Sequence, residues 1–270
     1  MKLGLGSYAL AWAIGVPGYP LPQRQLDAVG FLRTAHKLGV KLVQFADNVP
    51  LEQLEERELF KIKEVARELE IEIEIGTRGT SPNHLRRFLE LARFFDAKLV
   101  RTIINSDNMM QVEKDIHEVL PLYETSGVTL GIENHDRHTT EQFSQLFNQI
   151  GSRYVGVCLD TVNSFGALEG PNQVIKNLAP FIVNVHVKDF EIKRVDHMMG
   201  FLLTGTPAGE GMLDIDLLLN ELKEEKKDVN IILELWPPFA NSIEETVELE
   251  NEWAVKSIRF LKKKILKEIG

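Results

Sequence analysis

One cysteine, Cys158, stands among 270 residues, so no disulfide can form within the chain, which suits a reducing, cytoplasmic setting. Long apolar runs are missing too. No stretch approaches the ~18 consecutive apolar residues of a membrane span. The opening Met-Lys-Leu-Gly-Leu-Gly-Ser lacks the apolar core of a secretory signal and reads as a strand. Basic charge is in deficit: 31 Lys and Arg face 40 Asp and Glu, for a formal net charge of −9. That balance argues against a nucleic-acid partner, because phosphate binding depends on clustered cations. There is no linker, low-complexity tract or internal sequence repeat.

What is present is a rhythm. Short apolar runs at 3–7, 42–46, 71–76, 99–103, 129–133, 155–159, 182–187 and 231–235 alternate with amphipathic stretches. The latter lie near 23–38, 52–70, 82–96, 110–126, 140–150, 171–179, 214–226 and 243–268. Strict β-then-α alternation predicts parallel strands joined by crossover helices. Runs such as Val155-Gly-Val-Cys-Leu159 are apolar without alternation, as strands buried on both faces must be. Eight such units predict a single-domain (β/α)₈ TIM barrel over residues 1–270. The rival, an open doubly wound sheet, is disfavoured because no Gly-x-Gly-x-x-Gly follows the first strand, where Gly4 and Gly6 lie inside the strand itself.

Four metal-competent residues fall at the C-terminal ends of consecutive strands: Glu133 in Gly-Ile-Glu-Asn, Asp160 in Leu-Asp-Thr, His186 in Val-His-Val-Lys-Asp, and Glu234 in Leu-Glu-Leu. Barrel enzymes keep their active sites on that face. Three carboxylates and one imidazole form a mainly oxygen site for one divalent metal ion, Mn²⁺ first, with Mg²⁺, Co²⁺ or Zn²⁺ as alternatives. Three adjacent carboxylates would otherwise repel one another. The bland alternative, separate helix caps and ion pairs, does not account for all four on one rim. A metal on two neighbouring substrate oxygens stabilises an enediolate, and a carboxylate beside it can serve as general base.

With these motifs, and Ala-Gly-Glu210-Gly-Met-Leu-Asp before the seventh long helix, the chain resembles the xylose-isomerase-like barrels over essentially its full length. These are also called the sugar phosphate isomerase/epimerase superfamily. The resemblance implies that the four residues bind one metal. It also implies that Glu133 and Glu234 flank the substrate carbon as the proton-removing and proton-returning groups. It further implies a homo-oligomer.

Two positions depart from the family's ketose 3-epimerases. A histidine usual three residues after the strand-six aspartate is Asn163 here, and an arginine usual six residues after the strand-seven histidine is Ile192. A free ketohexose is therefore disfavoured. Arg78, Arg101 and Lys188 offer cations for a carboxylate or phosphate if all three point inward, although each alone could be a surface ion pair.

The connections 8–22 and 188–213 are unusually long. They carry Tyr8, Trp12, Tyr19 and His197, while Trp236 follows Glu234. Aromatic walls suit the apolar face of a sugar, and core packing is an equal alternative. Trp12, Trp236, His197, Glu210 and Asn163 join the expected substrate contacts. His135 and Asp136 are expected to support the metal ligands, and Asp189 to orient a neighbour. His36, His84, His117 and His138 read as surface, and Cys158 as core.

The leading expectation is a metal-dependent isomerase or epimerase of a small sugar or sugar acid. The alternative is a metal-dependent decarboxylase, a lyase, of a 3-oxo sugar acid. A repair endonuclease would need more histidines and a basic face, and a non-catalytic binding protein ranks last.

Overall fold

The computed structural model describes residues 1–269; Gly270 lies outside the described residues. Seven strands follow one another around the barrel: β1 (Leu3–Gly6), β2 (Leu42–Phe45), β3 (Glu72–Gly76), β4 (Leu99–Ile103), β5 (Thr129–Glu133), β6 (Val155–Asp160) and β7 (Ile182–Val187). Two further strands, β8 (Asp189–Arg194) and β9 (Phe201–Thr206), stand outside it as an antiparallel pair. The eighth barrel strand, β10 (Asn230–Leu233), pairs in parallel with both β7 and β1 and closes the ring. The expected TIM barrel is what the chain forms.

Helices return the chain along the outside: α2 (Ala28–Lys37), α3 (Glu56–Glu68), α4 (Pro82–Phe95), α5 (Met109–Ser126), α6 (Thr140–Ile150), α7 (Pro171–Leu178), α8 (Ile215–Glu224) and α9 (Ile243–Ile269). Local chemistry sets their ends. The expected first helix begins at 28 rather than 23, because the Asp27 carboxylate accepts from Gly30 N at 2.6 Å and satisfies a free N-terminal N–H. Helix α3 likewise starts at Glu56, behind a reciprocal Glu55–Glu58 capping box. Helices α5 and α6 stop at Gly127 and Gly151, whose φ values of 62° and 60° are left-handed.

Both long connections hold structure that periodicity did not reveal. The first folds into a 3₁₀ turn, Ser7–Leu10, and a single helical turn, α1 (Ala11–Ile14). Its backbone is tied to α9, where the buried Glu250 accepts from Trp12 N at 2.9 Å and Ala13 N at 3.1 Å. The second is the β8–β9 hairpin, held at its base by Asp189. That carboxylate accepts from the backbone N–H of Phe190, Leu213, Gly209 and Gly211 at 2.8, 3.0, 2.8 and 3.1 Å. Asp189 does orient its neighbours, through the main chain.

Candidate metal and active site

Each member of the quartet is fully buried. Glu133 and Asp160 are the last residues of β5 and β6, His186 is the penultimate residue of β7, and Glu234 immediately follows β10. Parallel pairing places Asp160 directly beside His186. The ligand atoms of Asp160, His186 and Glu234 lie within 4.8 Å of one another, as do those of Glu133, Cys158 and His186. His186 Nδ1 is 3.2 Å from Glu133 Oε2 and 3.4 Å from Glu234 Oε1. The four residues therefore converge on one point, as their strand positions predict.

The donor set fits a cation. His186 Nδ1 and Glu234 Oε1 are buried without a hydrogen-bond partner, and Asp160 Oδ2 and Glu234 Oε2 meet only the Lys188 ammonium. Unpaired buried acceptors are costly, so several together imply a group that satisfies them jointly. Cys158, read as core, is indeed buried, and it also stands beside the site. Burial pushes its thiol up to about 11, and Sγ donates to Asn184 Oδ1 at 3.4 Å.

Lys188 enters from the residue after β7. Its Nζ is 2.9 Å from Asp160 Oδ2 and 2.9 Å from Glu234 Oε2. Burial works against its charge, but Asp160 and then Glu234 raise its pKa above that of an ordinary lysine. Of the three expected cations, Lys188 alone meets two members of the quartet, with 13% of its side chain exposed.

Arg101 and Arg78 are both paired with carboxylates. Arg101 is buried and donates through Nε to Glu133 Oε2. Its remaining contacts are Thr77 O at 3.3 Å and Asp47 Oδ1 at 3.4 Å. Arg78 donates to Asp47 Oδ2 at 2.6 Å from a half-exposed position, and Tyr8 donates to the same oxygen at 3.1 Å. Asp47 is thus a bridge that sequence reasoning passed over, although it too follows a strand end. Burial alone would raise the Glu133 pKa, but Arg101 and then His186 hold it well below the ordinary range.

Asn163 is placed where a contact was expected. Its Nδ2 donates to Glu133 Oε1 at 2.7 Å, and its backbone N donates to Asp160 Oδ1 at 2.8 Å. Val162 N donates to the same Asp160 oxygen at 2.8 Å, leaving Oδ2 to the Lys188 ammonium.

Other expected contacts are not brought to the quartet. Glu210 is exposed and faces Lys256 on α9, at 3.9 Å. His197 sits exposed at the hairpin tip, where its Nδ1 accepts from Met199 N at 3.3 Å. Trp12 packs against Tyr19 and Phe239, with ring centroids 4.9 and 5.5 Å away, and donates to Pro237 O at 3.2 Å. This aromatic group clasps the first βα loop to the last. Trp236 donates to Asp189 O at 3.2 Å and so props the hairpin. His135 and Asp136 pair with each other at 2.6 Å rather than with a quartet member. His138, read as surface, is buried against Ser106 O at 3.0 Å.

Beneath the quartet lies a buried polar layer that the sequence did not disclose. His186 Nε2 is 2.7 Å from Gln44 Oε1, and Gln44 Nε2 is 3.0 Å from Glu74 Oε2. A polar residue inside an apolar strand, as in Leu-Val-Gln44-Phe, was the available signal.

Known proteins share this plan. The chain is 34% identical to a 3-oxo-isoapionate decarboxylase of Pectobacterium atrosepticum over 265 residues, 97% of this chain and 95% of that protein. Among solved structures, a D-psicose 3-epimerase from Clostridium cellulolyticum, determined with D-tagatose, superposes with a TM-score of 0.73 at 14% identity, covering 97% of this chain and 99% of that one. The IOLI protein, solved with a zinc atom, gives a TM-score of 0.69 at 19% identity, covering 96% and 98%. At such identities these structures bear on the fold. Among the described residues, no helix is long and apolar enough to cross a membrane. A family model for xylose isomerase-like TIM barrels matches residues 32–264, and the chain belongs to that family.

Proposed function

We propose that the protein is a metal-dependent carboxy-lyase acting on a small 3-oxo sugar acid. The observation that carries this reading is Lys188, whose ammonium stands between Asp160 and Glu234. The named activity of the decarboxylase relative, which aligns over nearly the whole of both chains, supports it.

Glu133, Asp160, His186 and Glu234 would hold the metal, with Mn²⁺, Mg²⁺ or Co²⁺ favoured by the oxygen-rich set and Zn²⁺ compatible with it. When bound, the ion would supply a Lewis acid for the substrate's carbonyl oxygen. Loss of CO₂ from a 3-oxo acid breaks the bond to the carboxyl carbon and leaves its electron pair in an enolate. That carbon then needs one proton. Lys188 Nζ carries it and regains another from solvent.

Isomerisation, placed first by sequence, needs a carboxylate oxygen free to take a proton from carbon. Both Glu133 oxygens already accept hydrogen bonds, from Asn163 and from Arg101. Glu234 Oε1 accepts none, so isomerisation stands as the second reading; the lyase takes precedence because the decarboxylase relative aligns over nearly the whole of both chains.

The test is to incubate the Mn²⁺-loaded protein in D₂O with branched 3-oxo sugar acids and with ketoses, following CO₂ and deuterium incorporation. CO₂ release from the acids, with one deuterium in the product, is expected. Deuterium exchange into a ketose without CO₂ would overturn the lyase and restore the epimerase.

A further inference from the structure

We infer that Glu74, which touches no quartet member, is a positioning residue that fixes which nitrogen of His186 faces the metal site. The inference deepens the proposed metal centre and rests on it.

Glu74 is the third residue of β3 and is only 4% exposed. Its carboxylate is surrounded by three side-chain amides. Oε2 accepts from Gln44 Nε2 and from Asn184 Nδ2, both at 3.0 Å, and Oε1 accepts from Asn230 Nδ2 at 2.7 Å. These amides come from β2, β7 and β10. Strand register brings them together, since Gln44 pairs with Glu74 and Asn184 pairs with Asn230.

Direction then propagates by elimination. A carboxylate accepts and does not donate, so the Gln44 NH₂ group must face it. The other end of that amide, Oε1, is 2.7 Å from His186 Nε2 and can only accept. His186 must therefore carry a hydrogen on Nε2. Nδ1 is left as the nitrogen that faces Glu133 Oε2 and Glu234 Oε1, the place for a cation. Asn184 is held in the same sense, because its Oδ1 accepts from the Cys158 thiol at 3.4 Å.

Reversing the Gln44 amide would present NH₂ to Nε2 and force the hydrogen onto Nδ1, where it would block ligation. Gln44 alone has no preference between the two orientations. Glu74 supplies it, because its carboxylate only accepts, whereas an amide in its place could meet Gln44 in either direction. Hydrogen bonds that set a ligating imidazole's tautomer are generally worth 10–100-fold in metal affinity.

The experiment compares the wild type, Glu74→Gln, and the double variant Gln44→Glu/Glu74→Gln. In the double variant, the carboxylate at position 44 can accept from His186 Nε2 while the amide at position 74 donates to it. Mn²⁺ affinity is read from the EPR signal of free Mn²⁺. The protonated nitrogen of His186 is read by long-range ¹H–¹⁵N NMR on the Mg²⁺-loaded protein, and folding is checked by circular dichroism.

Glu74→Gln is expected to weaken Mn²⁺ binding by about 10–100-fold and to mix the tautomers. The double variant is expected to recover most of the affinity and the Nε2–H form. Unchanged affinity and tautomer in Glu74→Gln would overturn this inference alone. A folded double variant that recovers neither would also overturn it. A wild type that binds no divalent ion would overturn the metal reading itself, and this inference with it.

Discussion

Arg101 and Glu133 form a fully enclosed ion pair, with the guanidinium Nε donating to Glu133 Oε2. Neither side chain has more than 2% exposure, so water cannot substitute for either partner. Arg101→Met should therefore strand a buried carboxylate. Removing one partner of such a pair costs about 3–5 kcal/mol, to be measured by urea unfolding of the metal-free protein. A loss below about 1 kcal/mol, the usual value for an exposed pair, would mean that the pair is solvated.

Gly6 ends β1 against the quartet. A Cβ there would lie 2.9 Å from Glu234 Cγ and 3.2 Å from its Oε1. Gly6→Ala is expected to displace Glu234 while leaving the barrel folded. A displacement of about 1 Å at a reacting group costs on the order of 100-fold in rate. Full activity with an unshifted carboxylate in the variant's crystal structure would contradict this.

Lys188 and the metal should be separable. Chelation is expected to abolish turnover, and Mn²⁺ or Co²⁺ to restore it. Lys188→Met should keep Mn²⁺ binding yet slow CO₂ release by about 100-fold or more, the usual contribution of a positioned acid. Wild-type turnover in Lys188→Met would remove the lysine from the mechanism.

Glu250 gives stability a pH dependence of opposite sign to that of paired surface acids. Burial pushes its carboxyl up to about 8, against backbone N–H donors from Trp12, Ala13 and Ala11 that favour the charged form. Between the ordinary carboxyl value of 4.5 and about 8, the folded chain holds a proton that the unfolded chain has released. Stability should thus fall as pH rises through that window, by up to about 1.4 kcal/mol per pH unit. Comparing thermal midpoints of the wild type and Glu250→Gln from pH 5 to 8.5 tests this. Parallel curves would assign the slope to other groups.

Legibility followed range. The strand boundaries were readable to within a residue or so because an apolar run buried on both faces is a local pattern. The quartet was readable because each member ends such a run, and parallel closure puts all strand ends on one rim. Helix starts at Asp27 and Glu55 were less visible, since a cap competes with an amphipathic pattern that begins earlier. The β8–β9 hairpin escaped because Asp189 gathers backbone groups as distant in sequence as Leu213.

Side-chain partners were the larger gap. Arg78, Arg101 and Lys188 look alike along the chain, yet one is bound by Asp47, one by Glu133, and one by Asp160 and Glu234. Glu210 belongs to a family motif but turns toward α9. The sequence by itself determined the barrel and the four strand-end ligand candidates, because periodicity fixes which residues end a buried strand. Only the tertiary structure decided which cation meets which carboxylate, and that Gln44 and Glu74 lie beneath His186. Those contacts join residues 30 to 142 positions apart, and barrel closure alone brings them within hydrogen-bond distance.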